Sequence, residues 1–299
     1  MKIKYLFLFI VFFSTNIFAQ NFDNEIKELS GLMVNAAEEN DYVLKQEYVK
    51  QFSDLLEKTL KKPNSLYQPF DSIPHMKVIR SNDGMVRIFN WGVPNEKGKY
   101  SYYAVVQRRM GDKNSPLSDV FILNDNKENI TNPEKEVLQY PDWYGCLYTD
   151  IIEKKDVDNR TIYTLLGFDF NNRISHKKYI DILTFNAQGI PSFGVPLFIE
   201  GAGGIKTRII FEYAAQALMH LSYQADQDKI VFSHLFPLVP DKSNDKTFYV
   251  PDMAYDGFEF KFDKWMKVKN LKIVKPAFEN RPAPTTESEY YKDSINVDQ

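Results

Sequence analysis

The sequence predicts a mainly β fold of the α+β kind: an antiparallel multi-stranded sandwich or barrel-like sheet with an N-terminal helical hairpin. Three observations carry this. Residues 22–62 repeat their apolar positions every three or four residues. From about residue 76 the period changes, giving short runs rich in β-branched and aromatic residues, each bounded by turn chemistry. The connections between those runs are too short for crossover helices, which makes antiparallel pairing the expected arrangement.

In the N-terminal segment, 20–62, Phe22, Ile26, Leu29, Leu32 and Met33 mark the apolar face of one helix. Leu44, Tyr48, Phe52, Leu55, Leu56 and Leu60 mark a second, with Asn40 or Asp41 as its cap. Lys61-Lys62-Pro63 closes it, with cations at the negative end of the helix dipole and then a residue that cannot continue. Packing of the two faces on the rest of the protein is the expected use; a partner-binding arm is the alternative.

The β-rich domain, 76–278, opens with "MVRIFNW" after Asn82-Asp83-Gly84, strong hairpin chemistry. "SYYAVVQRR", "DVFILND", "WYGCLYTDII", "TIYTLLGFD", "KYIDILTF", "TRIIFEYA", "LMHLSYQ", "KIVFSHLF" and "GFEFKFDKWMKV" follow, with weaker runs near 196–199 and 247–250. "TIYTLLGF" is apolar on both faces, as a central strand covered twice would be. In 258–263 the residues Phe258, Phe260 and Phe262 are expected on one face, and Glu259, Lys261 and Asp263 on a wet one. "DGMVRIFNW" looks like one propeller strand but has no second copy. The last stretch, 279–299, is polar and Pro-containing, and reads as a flexible tail.

The first residues read as a signal peptide, 1–19. Lys2 and Lys4 form the charged start, Tyr5 to Phe13 a short apolar core, and Ala19 the residue before cleavage at Gln20. The apolar core is about half the length a membrane span needs, and no later stretch is long and apolar enough. The expected mature chain is soluble and exported, to the periplasm or beyond. The net charge of -3 argues against nucleic acid as a partner.

Candidate chemistry is sparse. "EGAGGIK" lacks the spacing and the following helix of a phosphate loop. "FDFNNR" invites a calcium loop at Asp169 and Asn171, but Arg173 and Ile174 fall where a ligand and a glycine are needed, so a hairpin turn is expected. His220 and His234 begin a zinc site if they lie opposite each other on a hairpin. The register that sets Leu221 against Phe232 and Tyr223 against Ile230 builds a consistent apolar face instead and separates them. His75 and His176 have no ligand spacing. The reading therefore assigns no metal, no cofactor and no catalytic residue.

The lone Cys146 cannot form an internal disulfide and is expected as a small buried hydrophobe on a central strand. Trp91, Trp143 and Trp265 are expected in the core, with a sugar platform as the alternative. Asp150, Asp169, Asp181, Glu212, Asp252 and Asp256 are the carboxylates from which a glycosidase pair could be drawn, since such a pair needs only one shared cleft.

On "WYGCLY", "YTLLGFD", "PSFGVPLF" and "FEYAAQALMHLSY", the chain from about 76 to 275 resembles a group of uncharacterised secreted proteins of Gram-negative bacteria. The resemblance implies an exported β-rich fold and carries no catalytic residues. A non-catalytic binding or scaffold role with an unknown ligand or envelope partner is the expected function. The alternatives are a glycan-directed periplasmic hydrolase and an accessory subunit of an envelope assembly.

Overall fold

A computed structural model describes residues 22–95, 99–201 and 204–272. The expected signal peptide, the tail and part of the "EGAGGIK" turn lie outside them. The chain is mainly β, with two helices at its N-terminus and several sheets.

Helix α1 covers 22–38 and α2 covers Tyr42–Leu60. Asp41 is the cap of α2: its side chain accepts the Leu44 N–H, filling one of the unpaired donors of the first turn. Lys62, just past the end of α2, pairs back to Glu25 of α1.

Three sheets follow. The first is β1 (Lys77–Arg80), β2 (Val86–Pro94), β3 (Tyr100–Arg109), β4 (Ser118–Asp125) and, parallel to β4, β6 (Asp142–Trp143). In the second, β5 (Leu138–Gln139), β10 (Pro191–Phe193), β9 (Ser175–Phe185), β8 (Thr161–Asp169) and β7 (Leu147–Lys155) lie in that order. Here β13 (Ile209–Ala214) joins β9 on the same edge as β10. The third runs β12 (Ile205–Lys206), β11 (Phe198–Ile199), β17 (Lys264–Val268), β16 (Tyr249–Lys261), β15 (Lys229–Pro237) and β14 (Leu221–Gln224). Pairing is antiparallel except at β4–β6 and β11–β17.

Strand alternation explains the stacking. On β2, Phe89, Trp91 and Val93 meet Phe52, Leu56 and Leu60 of α2, while Ile88 points the other way into a core with Leu165, Tyr179 and Phe193 of the second sheet. On β8, Leu165 faces that core and Leu166 faces the next, where it meets Ile180, Phe232, Phe258 and Trp265. The order is helices, first sheet, second sheet, third sheet. The second sheet is covered on both faces, which is why "TIYTLLGF" carries no polar alternation. The helices spend their apolar faces on the first sheet, so the partner-binding arm loses its surface; among the large apolar residues of α2 only Val43 and Leu44 are exposed.

Two local expectations are corrected. "WYGCLYTDII" is not one strand: Trp143 ends β6, Leu147 begins β7, and Cys146 lies between them. The Asp125 carboxylate accepts the Gly145 N–H, which breaks the run. Phe262 does not continue the inward face of Phe258 and Phe260. It sits with Asp263 at the β16–β17 turn, both at positive φ, and is 90% exposed.

Candidate functional site

The stretch weighed as a calcium loop is the hairpin turn expected between β8 and β9. Asp169 is the last residue of β8, and its oxygens accept Tyr102 Oη (2.8 Å), Tyr179 Oη (3.0 Å), Lys127 Nζ (2.7 Å) and the Asn171 N–H (2.7 Å). Burial alone would raise the Asp169 carboxyl, but Lys127 and these donors hold it below its ordinary range. Asn171 takes the left-handed backbone that closes the turn. The group ties the second sheet to the first through Tyr102.

The histidines separate as the register argument expects. Leu221 pairs with Phe232 and Tyr223 with Ile230, and the Ser233 N–H donates to the His220 carbonyl. His220 Nε2 meets Ser222 Oγ at 2.8 Å, whereas His234 Nδ1 meets Asp252 Oδ2 at 2.8 Å. His176 Nδ1 lies 2.9 Å from the Phe170 carbonyl. All three tryptophans are core residues, at most 1% exposed, so none offers a sugar platform. Cys146 is buried, and burial pushes its thiol well above the ordinary range.

What the residues build instead is a polar cleft of about 780 Å³ where the second and third sheets meet. One wall is β13, from Ile209 to Glu212. Ser233, His234 and Leu235 of β15 line the cleft too, with Lys246 and with Tyr249, the first residue of β16. The loop 131–135 forms one end, and Lys267, Lys269 and Asn270 form another part of the rim. Tyr144 reaches the cleft from inside; burial, helped by Asp169, pushes its hydroxyl up to about 12.

Charges in the cleft are arranged unevenly. Lys206 Nζ lies 2.9 Å from Glu134 Oε1 and 2.7 Å from Glu200 Oε2, and Lys267 Nζ lies 3.1 Å from Glu200 Oε1. Burial would raise the Glu200 carboxyl, but Lys206 and Lys267 outweigh it and keep it below the usual range. Glu212 Oε1 accepts Ser175 Oγ at 2.6 Å and Asn171 Nδ2 at 3.2 Å, with Lys177 Nζ 3.9 Å from its other oxygen. Asp256 accepts the Asn270 N–H at 3.0 Å. Lys246 sits 3.7 Å above the Tyr249 ring. Lys135 donates to the Ile205 carbonyl. Among the described residues, Lys135, Lys246 and Lys269 hold no carboxylate.

Of the six carboxylates singled out in the sequence, the cleft gathers Glu212 and Asp256. Asp169 and Asp181 are core residues, Asp252 pairs with His234, and Asp150 accepts its neighbour's N–H. Glu134 and Glu200 share one cation, Lys206, which is 2.9 Å from the first and 2.7 Å from the second. A general acid for glycoside cleavage needs a carboxyl kept protonated; Glu200 is driven the other way.

Sequence reasoning missed Glu134, Glu200, Lys206, Lys246, Lys267 and Lys269. One signal was readable: Glu200 and Lys206 flank the Gly-rich turn of the β11–β12 hairpin, with opposite charges placed to meet across it. The others come from segments far apart in the chain.

No protein-family model matches this chain, and comparison with curated proteins and with solved structures returns no match.

Proposed function

We propose that this is an exported, non-catalytic binding protein of the periplasm or cell envelope, whose cleft holds a polar ligand bearing negative charge. The observation that carries the reading is the charge balance of the cleft. Glu134 and Glu200 are already neutralised by Lys206 and Lys267, whereas Lys135, Lys246 and Lys269 hold no carboxylate among the described residues. A ligand with anionic groups completes that set, and charge-assisted hydrogen bonds from ammonium groups are the stronger kind. Export is supported by Lys2, Lys4, the apolar core from Tyr5 to Phe13 and Ala19.

Binding is tested by titrating the full chain with poly-L-glutamate and with oligogalacturonate, against neutral dextran. At least one polyanion should bind, more weakly as salt rises, and Lys246→Ala with Lys269→Ala should weaken it about tenfold or more. Equal binding of dextran, or no binding of either anion, sinks the reading. Export is tested by fusing residues 1–25 to a reporter that works only outside the cytoplasm; an inactive fusion removes the compartment.

A further inference from the structure

We propose that the β13 wall of the cleft is an acceptor edge, and that the ligand is an acidic peptide segment which adds to it as a β-strand. This rests on the reading of the cleft as an anion site and names the backbone that carries the charge.

The inference starts from which groups of β13 are in use. Its register pairs Ile209 with Ile180, Phe211 with Lys178 and Tyr213 with His176. One step further on, the Ala215 N–H donates to the Ile174 carbonyl at 3.0 Å. In an antiparallel pair the residues that exchange hydrogen bonds alternate with residues that do not. Counting back from Ala215, residues 213, 211 and 209 turn their N–H and C=O toward β9. Residues Ile210 and Glu212 therefore turn theirs away.

A second observation agrees. The Ile210 N–H donates at 3.2 Å to Glu134 Oε1, a side chain of the 131–135 loop at the end of the cleft. That carboxylate oxygen stands where the carbonyl of an added strand would stand. Among the described residues no strand pairs with this side of β13. The N–H of Glu212 and the carbonyls of Ile210 and Glu212 belong to the same edge.

An open edge inside a cleft is a template for strand addition, in which main-chain hydrogen bonds supply affinity and flanking side chains supply selectivity. Four residues opposite Ile209–Glu212 span about 13 Å. Only a peptide presents donors and acceptors at the two-residue repeat that Ile210 and Glu212 require. The side chains of the cleft decide its charge: Lys177 and Lys206 are already paired with carboxylates, whereas Lys135, Lys246 and Lys269 line the same cleft without a carboxylate of their own among the described residues. Acidic side chains on the incoming strand match them. The turn Lys246–Phe248 packs against β13, so the strand displaces this turn outward as it enters.

The test uses the full chain and three labelled octapeptides: alternating Glu-Thr, alternating Lys-Thr, and a Glu-Pro peptide in which Glu-Glu-Pro-Pro repeats. The Glu-Pro peptide keeps the charge, and its paired prolines remove amide donors from both edges of the strand, so neither edge can form a full ladder. Glu-Thr should bind at least ten times more tightly than either of the others. Amide exchange at Ile210 and Glu212 should slow at least tenfold on binding, while exchange in 246–248 quickens. Glu212→Pro removes the outward amide together with the carboxylate that accepts Ser175 and Asn171, so it is compared with Glu212→Ala, which loses the carboxylate and keeps the amide; only the Pro variant should lose the preference for Glu-Thr over Glu-Pro. If that variant fails to fold, the exchange pattern of the unaltered protein decides alone. Equal binding of Glu-Thr and Glu-Pro, or binding without slower exchange on β13, overturns strand addition and leaves the anion cleft standing. Binding of oligogalacturonate but no peptide makes the ligand a glycan. Binding of no anion at all removes both readings.

Discussion

The most demanding test of the fold is the ion pair between Arg208 and Asp181. Asp181 lies on β9 and Arg208 just before β13, and their side chains are 2% and 0% exposed. Arg208 Nε donates to Asp181 Oδ2 at 2.8 Å, and Tyr148 Oη donates to the same oxygen at 3.0 Å. Asp181 Oδ1 accepts the Ile182 N–H, and Arg208 Nη1 reaches the Pro133 carbonyl at 2.6 Å. Burial disfavours the guanidinium charge, and Asp181 more than restores it. Removing the carboxylate therefore leaves a dry, uncompensated cation.

Breaking a buried pair from one side costs about 3–5 kcal/mol. Against a total stability of roughly 5–15 kcal/mol, and with a urea slope near 3 kcal/mol/M, Asp181→Ala should lower the urea midpoint by roughly 1–1.7 M. Asp181→Asn keeps the volume and loses the charge, so it should cost nearly as much; a cavity explanation would make it mild. Asp181→Leu with Arg208→Met removes both charges and leaves the Tyr148 hydroxyl and the Pro133 carbonyl short of partners, at about 1–3 kcal/mol each at most. The double variant should be more stable than the sum of the singles by at least about 2 kcal/mol. Additive singles, or Asp181→Ala below about 1 kcal/mol, would refute the argument, because both require water at the pair.

Three further outcomes are expected. Cys146 should resist a thiol reagent in the native protein and react after denaturation; Cys146→Ser should cost about 1–3 kcal/mol for a buried hydroxyl, and Cys146→Ala less. Lys178 keeps some exposed surface, but packing around its ammonium lowers its pKa to about 8. The unfolded chain, with an ordinary lysine near 10.4, then holds more protons, so stability should rise between pH 8 and about 10 and lose that rise in Lys178→Met, followed by urea unfolding at each pH. Phe262→Asn should raise the unfolding free energy by about 0.5–1 kcal/mol in urea titration, since an exposed aromatic at φ 52 is replaced by a residue that tolerates that backbone.

How far the sequence could be read depended on range. Helix faces and strand interiors are local periodicities, and Phe52, Leu56 and Leu60 or Leu165 and Leu166 landed where their spacing put them. The His220 register was legible because one slip would have turned every apolar side chain to the wrong face. Phe262 was misread because alternation cannot distinguish the last residue of a strand from the first of a turn when no glycine or asparagine marks it. Cys146 is buried as expected, but its placement on a strand was misread, because a run that is apolar on both faces looks the same whether it is one strand or a link between two. Of the cleft only the Glu200–Lys206 pair was legible, since Glu134, Glu212, Lys246 and Lys269 are brought to it only by the stacking of two sheets.

That stacking also limits where recognition can occur. The helices cover one face of the first sheet, and the second sheet is covered on both. The outer residues of β16 are occupied with each other, as Glu259 lies between Lys229 and Lys261. What remains are strand edges and hairpin tips. At the β1 side, β1 packs against β7. At the β14 side, the edge strand is only Leu221–Gln224, which is short for a template. β13 is different: it is held on one side by the full length of its pairing with β9, it borders the cleft, and one of its outward amides has already recruited a carboxylate from the facing loop. An edge that needs a side chain to satisfy it is one that a backbone could satisfy better. The charge around it then selects which backbone, because an acidic peptide meets partners at Lys135, Lys246 and Lys269, which hold no carboxylate among the described residues, where a basic one meets like charge.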